Sequence, residues 1–594
     1  MSSFQDEVIT GKAYDSRLVK KLFAFIKPYM GYFFLSIFYL AMVTFLDLLP
    51  PYLTKVAIDD YIAKNRASEI YKIILLYQGV LIAHFIFQYL HIYSINSMAQ
   101  NAMFDLRVKV FSHIQSLSFT YFDKNPVGRV ITRVIGDIET LNDLLSAGFI
   151  TIVGDFFSLA GITVMLLMLD LRLGLMTMAV IPFLIGMTAI YRKFARDAYR
   201  NARVNQSKMN AYFQENVSGM VEVQNFAREG LNSDKFDKIN ADNRNTYIRA
   251  ITQNAIFFPA VEIVSAFAIA AIVYYGGGAV ISNSIGFGVL VAFTQYINRF
   301  FKPIRDIAEK YNVFQMAMAS CEKIFSLLDT EPAIKNPEYA LEIKDFNGNI
   351  KFDNVRFEYN KDEEILHGVS FDVRSGESVA IVGQTGSGKT TIINLLARFY
   401  DIKSGSILLD GVDIRTVDLK ALRSYVGIMQ QDVFLFAGSI EKNIKMNNPN
   451  ISEDIIKNAA RFVNAEKFIE KLPMKYNQEV GERGISLSVG QRQLLALARA
   501  LAFDPKIIIM DEATSSVDTE TEYLIRDALK KLLKNRTSII IAHRLSTIKN
   551  VDKIIVLHKG VVREVGSHEE LLKTRGMYYK LYEMQYREQE EAAN

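Results

Sequence analysis

The chain has 594 residues, half of them hydrophobic, and a mean hydropathy of +0.12, which is too long for one domain and too apolar for an ordinary soluble protein, so a membrane part is expected. The net charge of +4 is small against 68 basic and 64 acidic residues, so overall charge gives no argument for a nucleic-acid partner. One cysteine, Cys321, excludes an intrachain disulfide and a cysteine metal cluster.

Residues 1–10 are polar and lack the basic-then-apolar pattern of a cleaved secretory peptide, so insertion is expected to use the spans themselves. Apolar windows lie near 29–49, 73–93, 149–169, 173–191, 255–275 and 287–301, about six spans in all, of which the last is the weakest. Lys12, Arg17, Lys20, Lys21 and Lys27 precede the first window, and Arg192, Lys193, Arg196, Arg200, Arg203 and Lys208 follow the fourth. The positive-inside rule puts both segments in the cytoplasm. The links 170–172 and 276–286 are short and poor in Lys and Arg, which places them outside. Segments 94–145 and 192–253 are long, carry helical apolar periodicity, and read as cytoplasmic extensions of membrane helices. Within the windows, Asp47, His84, Gln88, Asp155 and Glu262 must either line a substrate path or pair between helices, because an ionisable group alone in hydrocarbon is costly.

Composition changes near residue 328. Asp329-Thr330-Glu331-Pro332 and Asn336-Pro337 read as linker, and an alternating strand pattern begins at Ile350, after which strand runs alternate with helical ones. The expected fold is multidomain. An all-α six-helix transmembrane domain occupies 1–328, with long cytoplasmic helical extensions and coupling segments near 117–124 and 220–229; a linker (329–348) leads to an α/β P-loop ATPase domain (349–594).

The stretch Gly383-Gln384-Thr385-Gly386-Ser387-Gly388-Lys389-Thr390 follows the apolar run Ser378-Val379-Ala380-Ile381-Val382 and precedes a helix-like segment beginning at Thr391. Strand, glycine-rich loop and helix in that order make a phosphate loop for a nucleoside triphosphate. The glycines let backbone N–H groups close on phosphate, Lys389 reaches the β and γ oxygens, and the Thr390 hydroxyl ligates Mg²⁺. The apolar run Ile507-Ile508-Ile509-Met510 ends in Asp511 and Glu512, where Asp511 suits the metal and Glu512 the attacking water. A second apolar strand, Ser538 to Ala542, ends in His543, placed to hydrogen-bond the γ-phosphate.

With Leu487-Ser488-Val489-Gly490-Gln491 between these motifs, the chain resembles the ATP-binding cassette (ABC) family over essentially its whole length, in particular exporter-type half-transporters. The resemblance implies that Tyr359 stacks on adenine, that Gln431 senses Mg²⁺ and the membrane domain, and that Ser515 and Asp518 lie in a loop crossing to a partner. It also makes Glu479 to Gly484 an exporter-specific loop, Tyr121-Phe122-Asp123 and Arg129 to Asp137 a first cytoplasmic extension, and Glu222 to Glu229 a second coupling segment. Thr391 joins the ATP-binding set. In the family, Ser488 and the amides around it face ATP held by the other subunit, so a dimer is implied. Val489 departs from the family's usual glycine while Glu512 is kept, a combination resembling one subunit of a heterodimer; a homodimer is the other reading.

The implied function is ATP-driven export of amphipathic or hydrophobic compounds, drug-like molecules or lipids, across the inner (cytoplasmic) membrane, with the nucleotide domain cytoplasmic and ATP and Mg²⁺ as cofactors. Expected partners are a second half-transporter subunit, membrane lipid and a small-molecule or lipid substrate, with no nucleic acid. The alternatives are an ATP-gated channel, a regulatory membrane ATPase or a peptide exporter.

Overall fold

The computed structural model describes residues 15–341, 343, 345–511, 519–534, 536–541, 549 and 551–584. It divides into two units: residues up to Gln115 with Val127–Thr330, and Ser116–Pro126 with the residues from Glu331 onward. The helices of the first part of the chain are α1 (Ser16–Ile26), α2 (Met30–Val56), α3 (Ile70–Ser116), α4 (Phe119–Lys124), α5 (Val127–Thr132), α6 (Ile138–Asp143), α7 (Phe149–Leu169), α8 (Leu171–Met178), α9 (Ile181–Ser218), α10 (Met220–Asn225), α11 (Glu229–Ile281) and α12 (Phe287–Leu328). Of these, α4 belongs to the second unit.

Two of these helices are longer than a bilayer requires. At 1.5 Å per residue, the 47 residues of α3 and the 53 of α11 run roughly 70 and 80 Å, more than twice the ~30 Å of bilayer hydrocarbon. Among the described residues, Ser16–Ile62, Ile70–Ser116, Val127–Leu169, Leu171–Ser218 and Glu229–Ile281 are long and apolar enough to cross a membrane. The weakest expected window lies on α12, which falls short of that criterion because Gln295, Asn298, Arg299 and Lys302 interrupt it. Its apolar residues are nevertheless the centre of the helical core. Phe293, Tyr296, Ile297, Phe300 and Phe301 are buried against Leu166 of α7, Leu173 of α8, Leu184 of α9 and Phe257 and Val261 of α11. A helix enclosed by others need not be apolar all round.

Pro50 and Pro51 sit inside α2 and donate no N–H, which leaves carbonyls one turn earlier without their helical partner. Pro51 would have served Asp47, and Arg299 of α12 takes over: its guanidinium donates to the Asp47 carbonyl and, at 2.8 Å, to the Asp47 carboxylate. The Tyr296 hydroxyl donates to the Leu48 carbonyl at 2.6 Å. Asp155 of α7 likewise pairs with Lys310 of α12 at 2.6 Å. Two of the expected intramembrane polar groups therefore pair between helices, both with α12. His91, not singled out by the sequence, is buried with Nδ1 3.0 Å from the Ser36 carbonyl.

The second unit carries β1 (Ile350–Glu358), β2 (Glu364–Val373), β3 (Ser378–Val382), β4 (Ser404–Leu409), β5 (Val412–Asp413), β6 (Val426–Met429), β7 (Gly438–Ser439), β8 (Glu479–Val480), β9 (Ile507–Asp511), β10 (Thr537–Ile541), β11 (Lys553–His558) and β12 (Val561–Gly566). Its helices are α13 (Lys389–Leu396), α14 (Leu419–Tyr425), α15 (Ile440–Lys445), α16 (Glu453–Phe462), α17 (Glu466–Ile469), α18 (Val489–Ala502), α19 (Thr519–Leu533) and α20 (His568–Thr574). The larger sheet runs β12-β11-β3-β10-β9-β6, parallel except for β12; a second, antiparallel sheet runs β2-β1-β4-β5.

The parallel strands are continuously apolar because both faces are covered. Ala380, Val382, Ile508, Met510 and Ile540 point to one face, packed with Leu494 and Leu497 of α18 and Ile525 and Leu529 of α19. Val379, Ile381, Ile507, Ile509 and Ile539 point to the other, against Ile392 and Leu395 of α13 and Phe352 and Phe371 of the antiparallel sheet. Part of the stretch expected as linker is bonded to this unit: the Asn336 side chain donates to Asp418 and accepts from the Leu419 N–H, and the Leu341 N–H donates to the Thr416 carbonyl.

Arg299→Ala leaves the Asp47 carbonyl without a donor and is expected to cost about 1 kcal/mol, read as a lower Tm of the detergent-solubilised chain. Adding Pro51→Ala restores an N–H one turn on and is expected to recover part of the loss; no recovery would mean that the carbonyl is not what Arg299 serves.

Candidate nucleotide site

The loop between β3 and α13 is shaped by backbone demands that only glycine meets cheaply. Gly388, at the N-cap of α13, has φ +102°, and a Cβ there would lie 2.7 Å from Leu366 Cδ2. Gly383 leaves no room either, since a Cβ would sit 2.1 Å from the Leu557 carbonyl oxygen. The loop is anchored at its far side, where the Gly560 N–H donates to the Ser387 carbonyl at 3.1 Å and the Gly560 carbonyl accepts from the His367 N–H at 2.9 Å. Gln384, Thr385 and Gly386 are exposed at the tip, while Ser387, Gly388 and Lys389 are buried beneath it.

Lys389 Nζ donates to the Gly383 carbonyl at 2.7 Å and the Gln384 carbonyl at 3.0 Å, so its charge lies inside the curl of the loop. The Ser387 hydroxyl is buried without a hydrogen-bond partner among the described residues. An ammonium, an unpartnered hydroxyl and the open N–H groups of a helix N-terminus on one concave loop suit a polyphosphate.

The remaining candidates collect at one edge of the parallel sheet because the strands are in register. Ile381 of β3 pairs with Ile541 of β10, and Ile541 with Asp511 of β9, so three strands end level beside the loop. Gln431 follows β6, whose Met429 pairs with Met510, and is exposed at that same edge. Thr390 is exposed in the first turn of α13. Thr390, Gln431 and Asp511 offer a hydroxyl, an amide and one carboxylate. That donor set suits Mg²⁺, which keeps water ligands and takes phosphate oxygens, better than a cation needing an all-protein cage. Among the described residues no cluster of three or more His, Cys, Asp or Glu is placed to hold a metal. Glu512, Ser515, Asp518 and His543 lie outside the described residues. Glu512 follows directly on Asp511, and His543 comes two residues after Ile541.

Tyr359 follows β1, and its hydroxyl donates to Thr391 Oγ1 at 3.2 Å and accepts from Asn394 Nδ2 at 3.3 Å, tying it to α13. Its ring meets those of Phe357 at 4.7 Å and Tyr400 at 5.1 Å, each edge-on. Neither Asn394 nor Tyr400 was flagged by sequence; the aromatic pair Phe399-Tyr400 just after the phosphate-loop helix is the signal available for it.

Ser488 is the N-cap of α18, where its hydroxyl accepts from the Gln491 N–H at 3.2 Å and its own N–H donates to Gln491 Oε1 at 3.0 Å, a reciprocal capping box. Leu487 and Gly490 are buried, and Val489 is the exposed first residue of the helix. Its backbone is thus helical, and what Val489 adds beyond glycine is bulk at an exposed helix N-terminus.

A phosphate-loop ATPase fused behind a unit of long apolar helices is a membrane transporter driven by ATP hydrolysis. The chain belongs to the ABC transporter family: residues 33–304 match the ABC transporter transmembrane region and residues 366–515 match the family described as ABC transporter. It is similar to the Bacillus subtilis uncharacterized ABC transporter ATP-binding protein YknV, 39% identical over 98% of this chain and 96% of that one. It is also similar to the B. subtilis probable multidrug resistance ABC transporter ATP-binding/permease protein YheH, 39% identical over 86% of this chain and 76% of the relative, and to the Syntrophus aciditrophicus ATP-dependent lipid A-core flippase, 34% identical over 96% and 95%. A solved bacterial Atm1-family ABC exporter with ATP bound superposes with a TM-score of 0.76 at 27% identity, covering 96% of this chain and 99% of that one. The chain is accordingly an exporter-type half-transporter, a membrane protein that binds ATP and couples its hydrolysis to transport.

Gly388→Ala forces a side chain into left-handed backbone against Leu366 and is expected to raise the ATP Kd at least about tenfold, measured by equilibrium binding to the full chain. An unchanged Kd would show that the loop rearranges to bind.

Proposed function

We propose that the chain exports amphipathic or hydrophobic compounds, drug-like molecules or lipids, across the cytoplasmic membrane as one half of a dimer, with its ATPase unit in the cytoplasm. The observation that carries this is the fusion, in one chain, of long apolar helices to, among the described residues, a single phosphate loop and a single signature helix. The names of the multidrug and lipid A-core relatives support the substrate class.

In this reading the loop amides and Lys389 hold the β- and γ-phosphates, and Tyr359 stacks on adenine. Thr390, Gln431 and Asp511 would hold Mg²⁺, and the chemistry it would supply when bound is neutralisation of phosphate charge. Glu512 accepts a proton from the attacking water, and His543 bonds the γ-phosphate to keep that water in line. Ser488 and the N-terminus of α18 face ATP on a second chain, while Ser515 and Asp518 cross to it. Two such shared sites close around ATP and open after hydrolysis, and export is driven because ATP binds the closed arrangement better than the open one.

Val489 favours a heterodimer. Its bulk stands where a helix N-terminus must approach phosphate closely, so the site that this signature completes is the weaker one, and Lys389, Asp511, Glu512 and His543 serve the competent one.

Glu512→Gln tests the catalytic assignment. ATP binding is expected to stay within about twofold and turnover to fall by about two orders of magnitude or more, read as phosphate release in nanodiscs. Wild-type turnover in this variant would remove Glu512 from the reaction.

A further inference from the structure

The short helix α4 is flanked on both sides by residues of the membrane unit, yet segment Ser116–Pro126 belongs to the ATPase unit. What holds it there is aromatic. The Phe119 ring lies 4.9 Å from that of Phe399, and the Arg423 guanidinium lies 5.4 Å from the Phe399 ring centre. The next residue, Tyr400, donates its hydroxyl to the Asp123 carboxylate. Burial first, and Asp123 second, push the Tyr400 hydroxyl well above the usual tyrosine range, so it remains a proton donor at physiological pH.

The same side chain touches the base platform. The Tyr400 ring stands edge-on to Tyr359, 5.1 Å between centres at 89°, and to Phe357 at 5.8 Å and 65°. Tyr359 is in turn fixed through its hydroxyl to Thr391 and Asn394 on α13. Tyr400 therefore has one end on the segment joining α3 to α5 and its ring against the aromatic proposed to stack on adenine. A rotation of the Tyr400 side chain alters both contacts, since edge-to-face pairs depend on angle as well as distance.

We propose that Tyr400 is a positioning residue that links occupancy of the Tyr359 platform by a purine base to the seating of segment 116–126, so that this segment senses the base of the nucleotide as well as its phosphates. The inference rests on the reading of Tyr359 as the adenine platform. Linkage makes it reciprocal: if a stacked base favours the Tyr400–Asp123 bond, removing Asp123 weakens binding of a nucleotide with a base and leaves a bare polyphosphate untouched.

The test compares ATP and inorganic tripolyphosphate binding to the full chain in lipid nanodiscs for the wild type, Asp123→Ala, Tyr400→Phe, the double variant and Tyr359→Ala. Asp123→Ala is expected to raise the ATP Kd about fivefold without changing that of tripolyphosphate, and to add nothing in the Tyr400→Phe background, which keeps the ring and lacks the hydroxyl. An unchanged ATP Kd, an equal loss for both probes, or the same loss persisting in Tyr400→Phe would overturn the proposal. Tyr359→Ala separates the two ideas. A loss confined to ATP upholds the platform whatever Asp123 does, whereas no loss, or an equal loss for both probes, removes the platform and the proposal with it. Unchanged tripolyphosphate binding also certifies that each variant is folded.

Discussion

The in-register ending of the parallel strands is the constraint on which the site depends. Ile381, Ile541 and Asp511 are level because their strands share one hydrogen-bonding register, and a slip by one residue would exchange the side chains each strand presents to the two packed faces. Both faces of that sheet are dry, so the register is held by apolar packing above and below it. Residues with no sequence proximity, such as Lys389, Gln431 and Asp511, reach one edge as a consequence. The chemistry is local to that edge, and its precision comes from the core.

The membrane unit answers a different constraint, the absence of water to satisfy freed backbone. Pro51 in α2 opens the Asp47 carbonyl, which α12 closes with Arg299, and Tyr296 of α12 bonds the neighbouring Leu48 carbonyl. This explains how a helix too polar to face lipid on every side comes to sit at the centre of the helical core. The polar groups of α12 are structural partners of α2 and α7, so Asp47 and Asp155 are accounted for without invoking a substrate.

Features set by neighbours in sequence were legible, and features set by distant packing were not. The phosphate loop could be read because its glycines serve backbone angles and clearances within a few residues of each other, and the fold class because lipid requires long apolar windows and a buried parallel sheet requires continuous apolar strands. The weakness of the last window was visible, but its cause was not, since Arg299 answers a carbonyl 252 residues away in the chain. Tyr400 had no motif of its own, and its partner Asp123 is 277 residues distant. At Val489 the departure from the family's glycine was visible in the sequence, and the helix start shows that what the valine adds on that helical backbone is side-chain bulk. The proposed roles of Glu512, Ser515, Asp518 and His543 rest on sequence, as these positions lie outside the described residues.

The central claim is that this chain turns over ATP as part of a two-chain transporter. The most direct measurement is phosphate release by the purified full chain in lipid nanodiscs, alone and after co-purification with any half-transporter encoded beside it. The account predicts sustained Mg²⁺-dependent release that is low for the chain alone and rises severalfold with the partner. Stable ATP binding without phosphate release in either preparation would contradict it.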